Sequence, residues 1–206
     1  MIDAAASSSE ISVQTIAIHP QNPDILYIGT YGRGVYKSTD GNTSWTAMNN
    51  GLPSYPVRTI VIDPNNPEIL YAGTSGSGIY KSTNGGASWT AASNGLSNPY
   101  IYSMGVDPQN SEILYAGTYG VFKSTDGGAI WNSTGFPSTY VLALAVNPGN
   151  PANIYAGTYD RGVLSSIDGG TSWIVSNAGI SNKIHFHDIC ILFTFHPSAS
   201  FLNSIV

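Results

Sequence analysis

The chain of 206 residues is poor in charge, and this shortage excludes several classes of protein. Only 9% of its residues are Asp, Glu, Lys or Arg, and twelve acidic against seven basic residues leave a net charge of −5. A surface that binds nucleic acid or an anionic membrane needs clustered cations, so we expect neither partner. The surface must take its polarity from Ser, Thr, Asn, Tyr and Gly instead.

Cysteine is scarce and long apolar runs are missing. The single cysteine, Cys190, excludes an intrachain disulfide framework and a cysteine-rich zinc module. No apolar run reaches the roughly 18 residues of a membrane span, and residues 1–7 lack the basic and apolar regions that are typical of a signal peptide. The 23 glycines and 12 prolines favour turns over long helices.

What the sequence does contain is a fourfold internal repeat. Residues 19–30 return as 63–74, as 107–118 and more loosely as 147–158, and a tyrosine recurs in them at spacings of 44, 44 and 40 residues. A second block follows each copy, and all four tryptophans of the chain stand at its end. We call this block, at residues 38–45, 82–89, 124–131 and 166–173, the tryptophan block.

Each repeat predicts four short antiparallel strands. In the second copy an apolar run at 59–62 ends at a Pro/Asn turn, strands at 69–74 and 79–82 flank a Gly-rich turn, and a fourth strand starts at Trp89. Strands that are apolar on both faces need neighbours on both sides. Radially stacked four-stranded sheets of about 40–45 residues satisfy this requirement, so we predict an all-β fold, a β-propeller.

The predicted organisation has three parts. Residues 1–10 form an N-terminal arm, 11–184 hold four complete blades (about 11–54, 55–98, 99–139 and 140–180), and 185–206 are the degenerate start of a fifth blade. Four blades are the lower limit for closing a ring. We therefore expect an incomplete or open propeller, completed by further blades or by another copy of the chain.

The histidines near the carboxy terminus offer an alternative to a fifth blade. His185, His187, Cys190 and His196 are residue types that bind zinc. Their spacing matches no common zinc module, and residues 191–197 resemble the start of the repeat at 15–20. We therefore predict no metal site and no cofactor.

The pattern Ser-x-Asp-x-Gly-x-x-Trp explains the tryptophan block as a turn. An Asp or Asn side chain accepts hydrogen bonds from nearby backbone N–H groups, Gly permits positive φ, and Trp covers the hairpin. Because Asn84 stands where the other copies have Asp, the position does not require an acid. We assign a structural role to Ser38, Asp40, Gly41, Trp45, Ser82, Asn84, Gly85, Trp89, Ser124, Asp126, Gly127, Trp131, Ser166, Asp168, Gly169 and Trp173.

This block resembles the Asp-box, or BNR, repeat of sialidase-like and YVTN-like β-propellers, and the resemblance covers residues 11–178. It implies a protein exported by a bacterium, extracellular or periplasmic, with a function in carbohydrate binding or glycoside hydrolysis. Lys37, Lys81 and Lys123 recur just before three of the blocks, and we expect these lysines to be solvated.

Binding is predicted on the rim opposite the tryptophan blocks. Antiparallel order places the turns after strand two and the blade crossings there, and the copies differ most at these positions. Loops on a rigid scaffold commonly carry binding residues, and aromatic faces with hydroxyls and an occasional Arg suit sugars or extended peptides. The candidate ligand-binding residues are Tyr31, Arg33, Tyr55, Tyr100, Tyr119, Tyr159, Asp160 and Arg161, and we place Phe136 and Tyr140 on the same rim.

No catalytic residues are predicted. A sialidase requires three converging arginines, and Arg33, Arg58 and Arg161 do not stand in the motifs of that family. A glycosidase requires two carboxylates about 5–9.5 Å apart, and Asp160 is the only one that we place on the binding rim.

The sequence therefore favours a non-catalytic binding or scaffold module whose ligand is a polysaccharide or a protein. The first alternative is a fragment of a sialidase-like or xyloglucanase-like glycoside hydrolase with its catalytic residues in other blades. The second is an assembly-factor propeller like those that help photosystem II mature, which use a basic patch.

Overall fold

The computed structural model describes residues 11–180, which form sixteen strands in four antiparallel four-stranded sheets and, within this range, no helix. The predicted all-β fold is confirmed. Blade 1 contains β1 (Val13–Ile18), β2 (Leu26–Thr30), β3 (Val35–Ser38) and β4 (Thr46–Ala47); blade 2 contains β5 (Val57–Ile62), β6 (Leu70–Thr74), β7 (Ile79–Ser82) and β8 (Thr90–Ala91). Blade 3 contains β9 (Ser103–Val106), β10 (Leu114–Thr118), β11 (Gly120–Ser124) and β12 (Asn132–Ser133); blade 4 contains β13 (Val141–Val146), β14 (Ile154–Thr158), β15 (Val163–Ser166) and β16 (Ile174–Val175).

Each blade is a meander in which consecutive strands are neighbours. The first strands of successive blades pack against one another, whereas the two-residue fourth strands are exposed at the outer edge. The Pro/Asn turn after a first strand is closed by side chains: the carboxylate of buried Asp63 accepts hydrogen bonds from the backbone N–H groups of Asn65 and Asn66. The breaks predicted from Pro and Asn are therefore real turns.

The hydrophobic core lies between blades rather than inside any one of them. Tyr27 and Val35 of blade 1 form one cluster with Ile60, Ala72 and Trp89 of blade 2. Two equivalent clusters join blade 2 to blade 3 and blade 3 to blade 4. Because the sheets of blades 2 and 3 have a blade on either side, their strands carry apolar residues on both faces, which is the pattern seen in the sequence.

A polar clamp accompanies each of these three clusters. A buried tyrosine hydroxyl and a lysine ammonium group both donate to one glycine carbonyl oxygen in the tryptophan block of the next blade, over distances of 2.8–3.3 Å. The clamps are Tyr27 and Lys37 on Gly85, Tyr71 and Lys81 on Gly127, and Tyr115 and Lys123 on Gly169. The prediction of solvated lysines is wrong, since each is partly buried in a contact between blades that no single repeat reveals.

Two of the four tryptophans also bridge blades by hydrogen bonds. The indole N–H groups of buried Trp89 and Trp131 donate to the backbone carbonyls of Met48 and Ala92 in the preceding blade, each at 2.9 Å. Trp45, in the first blade, donates within its own block to the Asn42 side chain. The tryptophan block therefore joins neighbouring blades as well as closing its own turn.

The faces at the two ends of this row of blades are open among residues 11–180. Ile16 in blade 1 is 38% exposed, whereas Ile60 at the equivalent position of blade 2 is 6% exposed. Tyr155 in blade 4 is 44% exposed, whereas Tyr115 in blade 3 is 1% exposed. The predicted arm at 1–10, the predicted fifth blade at 185–206 and the histidines within it lie outside the described residues.

Candidate functional site

The turns after the second strands meet the blade crossings on one rim, as antiparallel order predicts. Ser75 forms an isolated bridge with Tyr100 of the next crossing, and Tyr119 forms one with Tyr140. In blade 4 the Tyr159 N–H donates to the Tyr140 carbonyl oxygen at 3.0 Å. Six exposed tyrosines lie along these segments, and we call them the tyrosine rim: Tyr31, Tyr55, Tyr100, Tyr119, Tyr140 and Tyr159.

The strongest concentration of aromatic surface lies where blade 3 meets blade 4. The Tyr140 ring makes edge contacts with Tyr119 at 5.1 Å, Tyr102 at 5.6 Å and Tyr159 at 6.3 Å between ring centroids. Burial and the adjacent Tyr140 raise the pKa of the Tyr102 hydroxyl. Because Tyr119, Tyr140 and Tyr159 remain 42–49% exposed, these rings form a fixed apolar surface edged by hydroxyl groups. We call Tyr102, Tyr119, Tyr140 and Tyr159 the tyrosine cluster.

Two further exposed tyrosines, Tyr55 and Tyr100, lie near the turn at Gly76 on the same rim. Gly76 has a φ of +125°, and a Cβ atom placed there would lie 3.0 Å from Tyr55 and 3.9 Å from Tyr100. The glycine therefore leaves room for the Tyr55 ring, which is 44% exposed, and the nearby Tyr100 is 50% exposed. Tyr31, in blade 1, is 62% exposed.

The turns that carry the rim residues are held by repeated hydrogen bonds. In blade 4 the Thr158 hydroxyl donates to the Gly162 carbonyl and accepts from the Arg161 N–H. Thr30 makes the same pair of contacts with Gly34 and Arg33 in blade 1. Both arginines are thus displayed from turns of defined shape.

All three arginines of the chain lie on this rim. Arg58 is the extra residue of a bulge at the start of β5, and its Nε donates to the Ser75 hydroxyl at 2.8 Å. Asp160 is the one carboxylate placed here among residues 11–180, and the hydroxyl of buried Thr139 donates to it. The other acidic residues of the described range lie in turns at the opposite end of the blades. The rim therefore carries positive charge on a chain that is negative overall.

Sequence reasoning missed Tyr102 and Arg58 as rim residues. Both occupy the equivalent repeat position, directly after Val57 and Ile101, where the other copies have Gln14 and Leu142. The variation at this one position was the available signal. Phe136, in contrast, was wrongly placed on the rim: it is 7% exposed and packs edge-on against Trp173 at 4.8 Å.

The tryptophan blocks use their acidic side chains for turn closure. Asp40 accepts from the Ser38 hydroxyl at 2.8 Å and from the Ser44 N–H at 2.9 Å, and Asn84 accepts the equivalent pair in blade 2. The Ser44 hydroxyl also donates to Asp40 and lowers its pKa to about 2. A carboxylate held ionised by these donors is a poor proton donor at neutral pH.

Residues 11–180 hold neither a cluster of metal-binding side chains nor a helix that could span a membrane. No group of three or more His, Cys, Asp or Glu side chains between residues 11 and 180 comes together as a metal site would require. No helix in this part of the chain has the length and apolar character needed to cross a bilayer.

Comparison with known proteins shows the β-propeller fold and no closer relationship. No protein family and no curated protein matches the sequence. Similar solved structures include an ancestral GH74 enzyme, at 25% identity and a TM-score of 0.68 over 79% of this chain and 23% of that one. A GH74 xyloglucanase from Xanthomonas campestris matches at 19% identity and a TM-score of 0.73, over 85% of this chain and 31% of the enzyme.

A third neighbour is an auxiliary nutrient binding protein from Bacteroides thetaiotaomicron, at 13% identity and a TM-score of 0.57 over 75% of this chain and 38% of that protein. This chain therefore spans only 23–38% of the length of these three neighbours. The predicted propeller fold is confirmed, and these likenesses extend to the fold alone.

Proposed function

We propose that this chain is a non-catalytic propeller module that binds a polysaccharide on the tyrosine rim. The observation that carries the proposal is the tyrosine cluster, in which Tyr140 contacts three other tyrosine rings at centroid distances of 5.1–6.3 Å. Such rings offer flat apolar faces and hydroxyl donors together, which is what the apolar faces and hydroxyl edges of a sugar require. The rings are positioned before any ligand binds, so little ordering opposes binding.

The neighbours support the ligand class. Two of them are GH74 enzymes, one of these a xyloglucanase, and the third is a nutrient binding protein. We further propose that the tryptophan blocks belong to the Asp-box class, on the pattern Ser-x-Asp-x-Gly-x-x-Trp, and that the protein works outside the cytoplasm, where polymeric glycans are found.

The binding test compares polysaccharides on the full chain. Affinity electrophoresis in xyloglucan and in polygalacturonate gels, followed by calorimetry, measures binding to a neutral and an acidic polymer. Replacing Tyr119 and Tyr140 together by Ala is expected to weaken binding by about tenfold or more, because each aromatic contact contributes about 0.5–1.5 kcal/mol. Ile130→Ala, an exposed change in the tryptophan block at the other end of the same blade, is the control. Binding that survives the loss of both tyrosines would contradict the proposal.

The second candidate is a fragment of a glycoside hydrolase, and the observation that favours it is the position of Asp160 beside Tyr159 on the tyrosine rim. A glycosidase needs a partner carboxylate, which the described residues do not place there. Hydrolysis of xyloglucan by the intact chain, lost in Asp160→Asn, would replace the binding proposal by this one. We expect that neither the wild-type chain nor Asp160→Asn releases reducing ends from xyloglucan.

A further inference from the structure

One cation of the rim is fixed beside exposed tyrosine rings. The Arg58 Nε donates to the hydroxyl of Ser75 at 2.8 Å, and Ser75 is the first residue after β6, in the turn that continues through Gly76. A Cβ atom at Gly76 would lie 3.0 Å from Tyr55 and 3.9 Å from Tyr100, so both rings lie beside the turn that holds Arg58. The guanidinium group is therefore held next to an aromatic surface before any ligand arrives.

The same cation also lies close to the tyrosine cluster. Arg58 and Tyr102 occupy equivalent positions in blades 2 and 3, and the first strands of these two blades contact each other. Burial and Tyr140 raise the pKa of the Tyr102 hydroxyl, and the positive charge of Arg58 opposes this rise. Arg58 and the Tyr102 hydroxyl are therefore within electrostatic reach of each other, and Tyr102 in turn contacts Tyr140 at 5.6 Å between ring centroids.

The contact with Ser75 positions the guanidinium group and leaves its charge in place. An arginine has five N–H donors, and this hydrogen bond uses the one on Nε. The acceptor is a neutral hydroxyl, so the contact does not neutralise the cation. The two terminal nitrogens can donate side by side to the two oxygens of a carboxylate, a bidentate arrangement that is stronger and more specific than a single hydrogen bond.

We propose that the polysaccharide bound on the tyrosine rim is acidic, and that Arg58 binds the carboxylate of a uronic acid unit whose neighbouring sugar rings lie on the tyrosines. This inference rests on the proposed function of the rim and adds the charge of the ligand to it. Charge complementarity supports it, because among residues 11–180 the rim carries three arginines and a single carboxylate, Asp160. A neutral polymer would cover the partly buried Arg58 without pairing its charge, which costs free energy.

The negative net charge of the chain does not oppose this binding. Glu68, an exposed acid at the other end of blade 2, is separated from Ser75 by β6, whose five residues span about 17 Å. Exposed charges are largely screened beyond about 8 Å at physiological ionic strength. Asp160 lies on the rim itself, and Arg161 in the same turn carries the opposite charge. An approaching anion therefore meets the positive rim rather than the average charge of the chain.

The ligand test uses three polymers that separate charge from sugar. Calorimetry measures binding of the full chain to polygalacturonate, to its fully methyl-esterified form, and to poly-L-glutamate, which carries carboxylates without sugar rings. Polygalacturonate is expected to bind about tenfold more tightly than its ester, because the ester cannot form the charge-assisted bidentate pair. Poly-L-glutamate is expected to bind more weakly than polygalacturonate, since it offers the tyrosines no sugar face.

The outcomes of this test separate the inference from the proposed function. Binding of the ester as tight as that of polygalacturonate would overturn the acidic ligand and leave the polysaccharide proposal standing. Binding to neither of these polymers nor to xyloglucan would overturn both. Poly-L-glutamate binding as tightly as polygalacturonate would assign the rim to an acidic peptide and overturn the inference.

A matched pair of substitutions tests the role of Arg58. Arg58→Gln is expected to weaken polygalacturonate binding by about tenfold and to change binding of the ester by less than about twofold. Ile130→Glu lowers the net charge by the same amount at an exposed position on the other end of blade 3, and is expected to change neither. Arg58→Lys keeps the charge without the planar fork and is expected to give an intermediate affinity for polygalacturonate.

Two results with these variants would contradict the assignment of Arg58. Equal losses of polygalacturonate binding in Arg58→Gln and Ile130→Glu would show that only the net charge of the chain matters. Equal losses of polygalacturonate and ester binding in Arg58→Gln would show that Arg58 merely supports the turn at Ser75. Circular dichroism and thermal melts confirm that each variant is folded.

Discussion

At the scale of single residues, three carbonyl oxygens organise the contacts between blades. Each glycine carbonyl of a clamp accepts two donors, one from a tyrosine and one from a lysine, and so uses both of its lone pairs. Burial raises the pKa of Tyr71 and Tyr115 to about 12, so both hydroxyls stay protonated donors at neutral pH. The lysine nitrogens also lie 5.2–5.4 Å from the centres of the paired tyrosine rings, within the range of a cation–π contact.

The lysine clamps predict a graded loss of stability. Lys81→Met removes a charged donor 2.8 Å from the Gly127 carbonyl and is expected to lower the free energy of unfolding by about 1–2 kcal/mol. Lys37→Met removes a longer contact of 3.3 Å to Gly85 and is expected to cost about half as much. Urea titrations measure both values. Equal stability of the wild-type and Lys81→Met proteins would show that the lysines are solvated after all.

The aspartates of the tryptophan blocks predict how stability depends on pH. The Ser172 hydroxyl and backbone N–H lower the pKa of Asp168 to about 2 from an ordinary value of 3.8. Because the folded pKa is the lower one, the stabilisation is complete above the ordinary pKa and is lost as pH falls toward 2. Asp40 behaves in the same way. The melting temperature is therefore expected to fall between about pH 4 and pH 2.

The amide found in blade 2 provides the control for this effect. Asn84 holds the same turn without a carboxylate, so Asp168→Asn is expected to fold and to show a shallower loss of melting temperature over this pH interval. Asn84→Asp is expected to make the loss steeper. Identical pH profiles for the wild type, Asp168→Asn and Asn84→Asp would show that these carboxylates do not cause the acid sensitivity.

At the scale of elements, one side chain links the turn after the second strand to the end of the fourth strand. The Asn49 side chain accepts from the Val35 N–H at 2.7 Å and donates to the Arg33 carbonyl at 3.0 Å. Ser93 accepts from the equivalent N–H in blade 2, and Asn177 does so in blade 4. In blade 3 both the turn and the segment that would carry this residue are two residues shorter. Blade 3 therefore lacks both this side-chain link and the longer turn that it holds in the other blades.

This link predicts which replacements of Asn49 are tolerated. Asn49→Ala leaves the N–H of fully buried Val35 without its acceptor and is expected to lower the free energy of unfolding by about 1–2 kcal/mol. Asn49→Ser is expected to retain most of the stability, since Ser93 performs the same function in blade 2. Thermal melts compare the two variants. A loss from the serine variant equal to that from alanine would contradict the equivalence.

The strands and turns were predictable because their signals are local. The Pro/Asn turn after the first strand and the glycine-rich turn after the second mark strand ends within a few residues. The partners of Lys81 and Phe136 were not predictable, because they lie one blade away and depend on how sheets stack. Arg58 was missed for a related reason: it is the extra residue of a bulge at the start of β5, and alternation of polar and apolar residues does not reveal a bulge.

At the scale of the whole molecule, stability is shared between neighbouring blades. Each sheet buries its faces only against the sheets before and after it, as in other repeat proteins whose stability is a sum of nearest-neighbour contacts. Inner residues of the row therefore contribute more than equivalent residues at its ends. The four tryptophans test this directly, because they occupy the same position in every blade.

Removal of Trp131 is expected to cost far more than removal of Trp45. Trp131 is 1% exposed and donates to the Ala92 carbonyl of the preceding blade, so Trp131→Ala should lower the free energy of unfolding by about 3–5 kcal/mol. Trp45 is only partly buried and bonds within its own block, so Trp45→Ala should cost less than half of this in dilute solution. Urea titration at low protein concentration measures both. If Trp45→Ala lowered the free energy of unfolding as much as Trp131→Ala does, the indole of Trp45 would be as buried as that of Trp131, which would contradict the prediction.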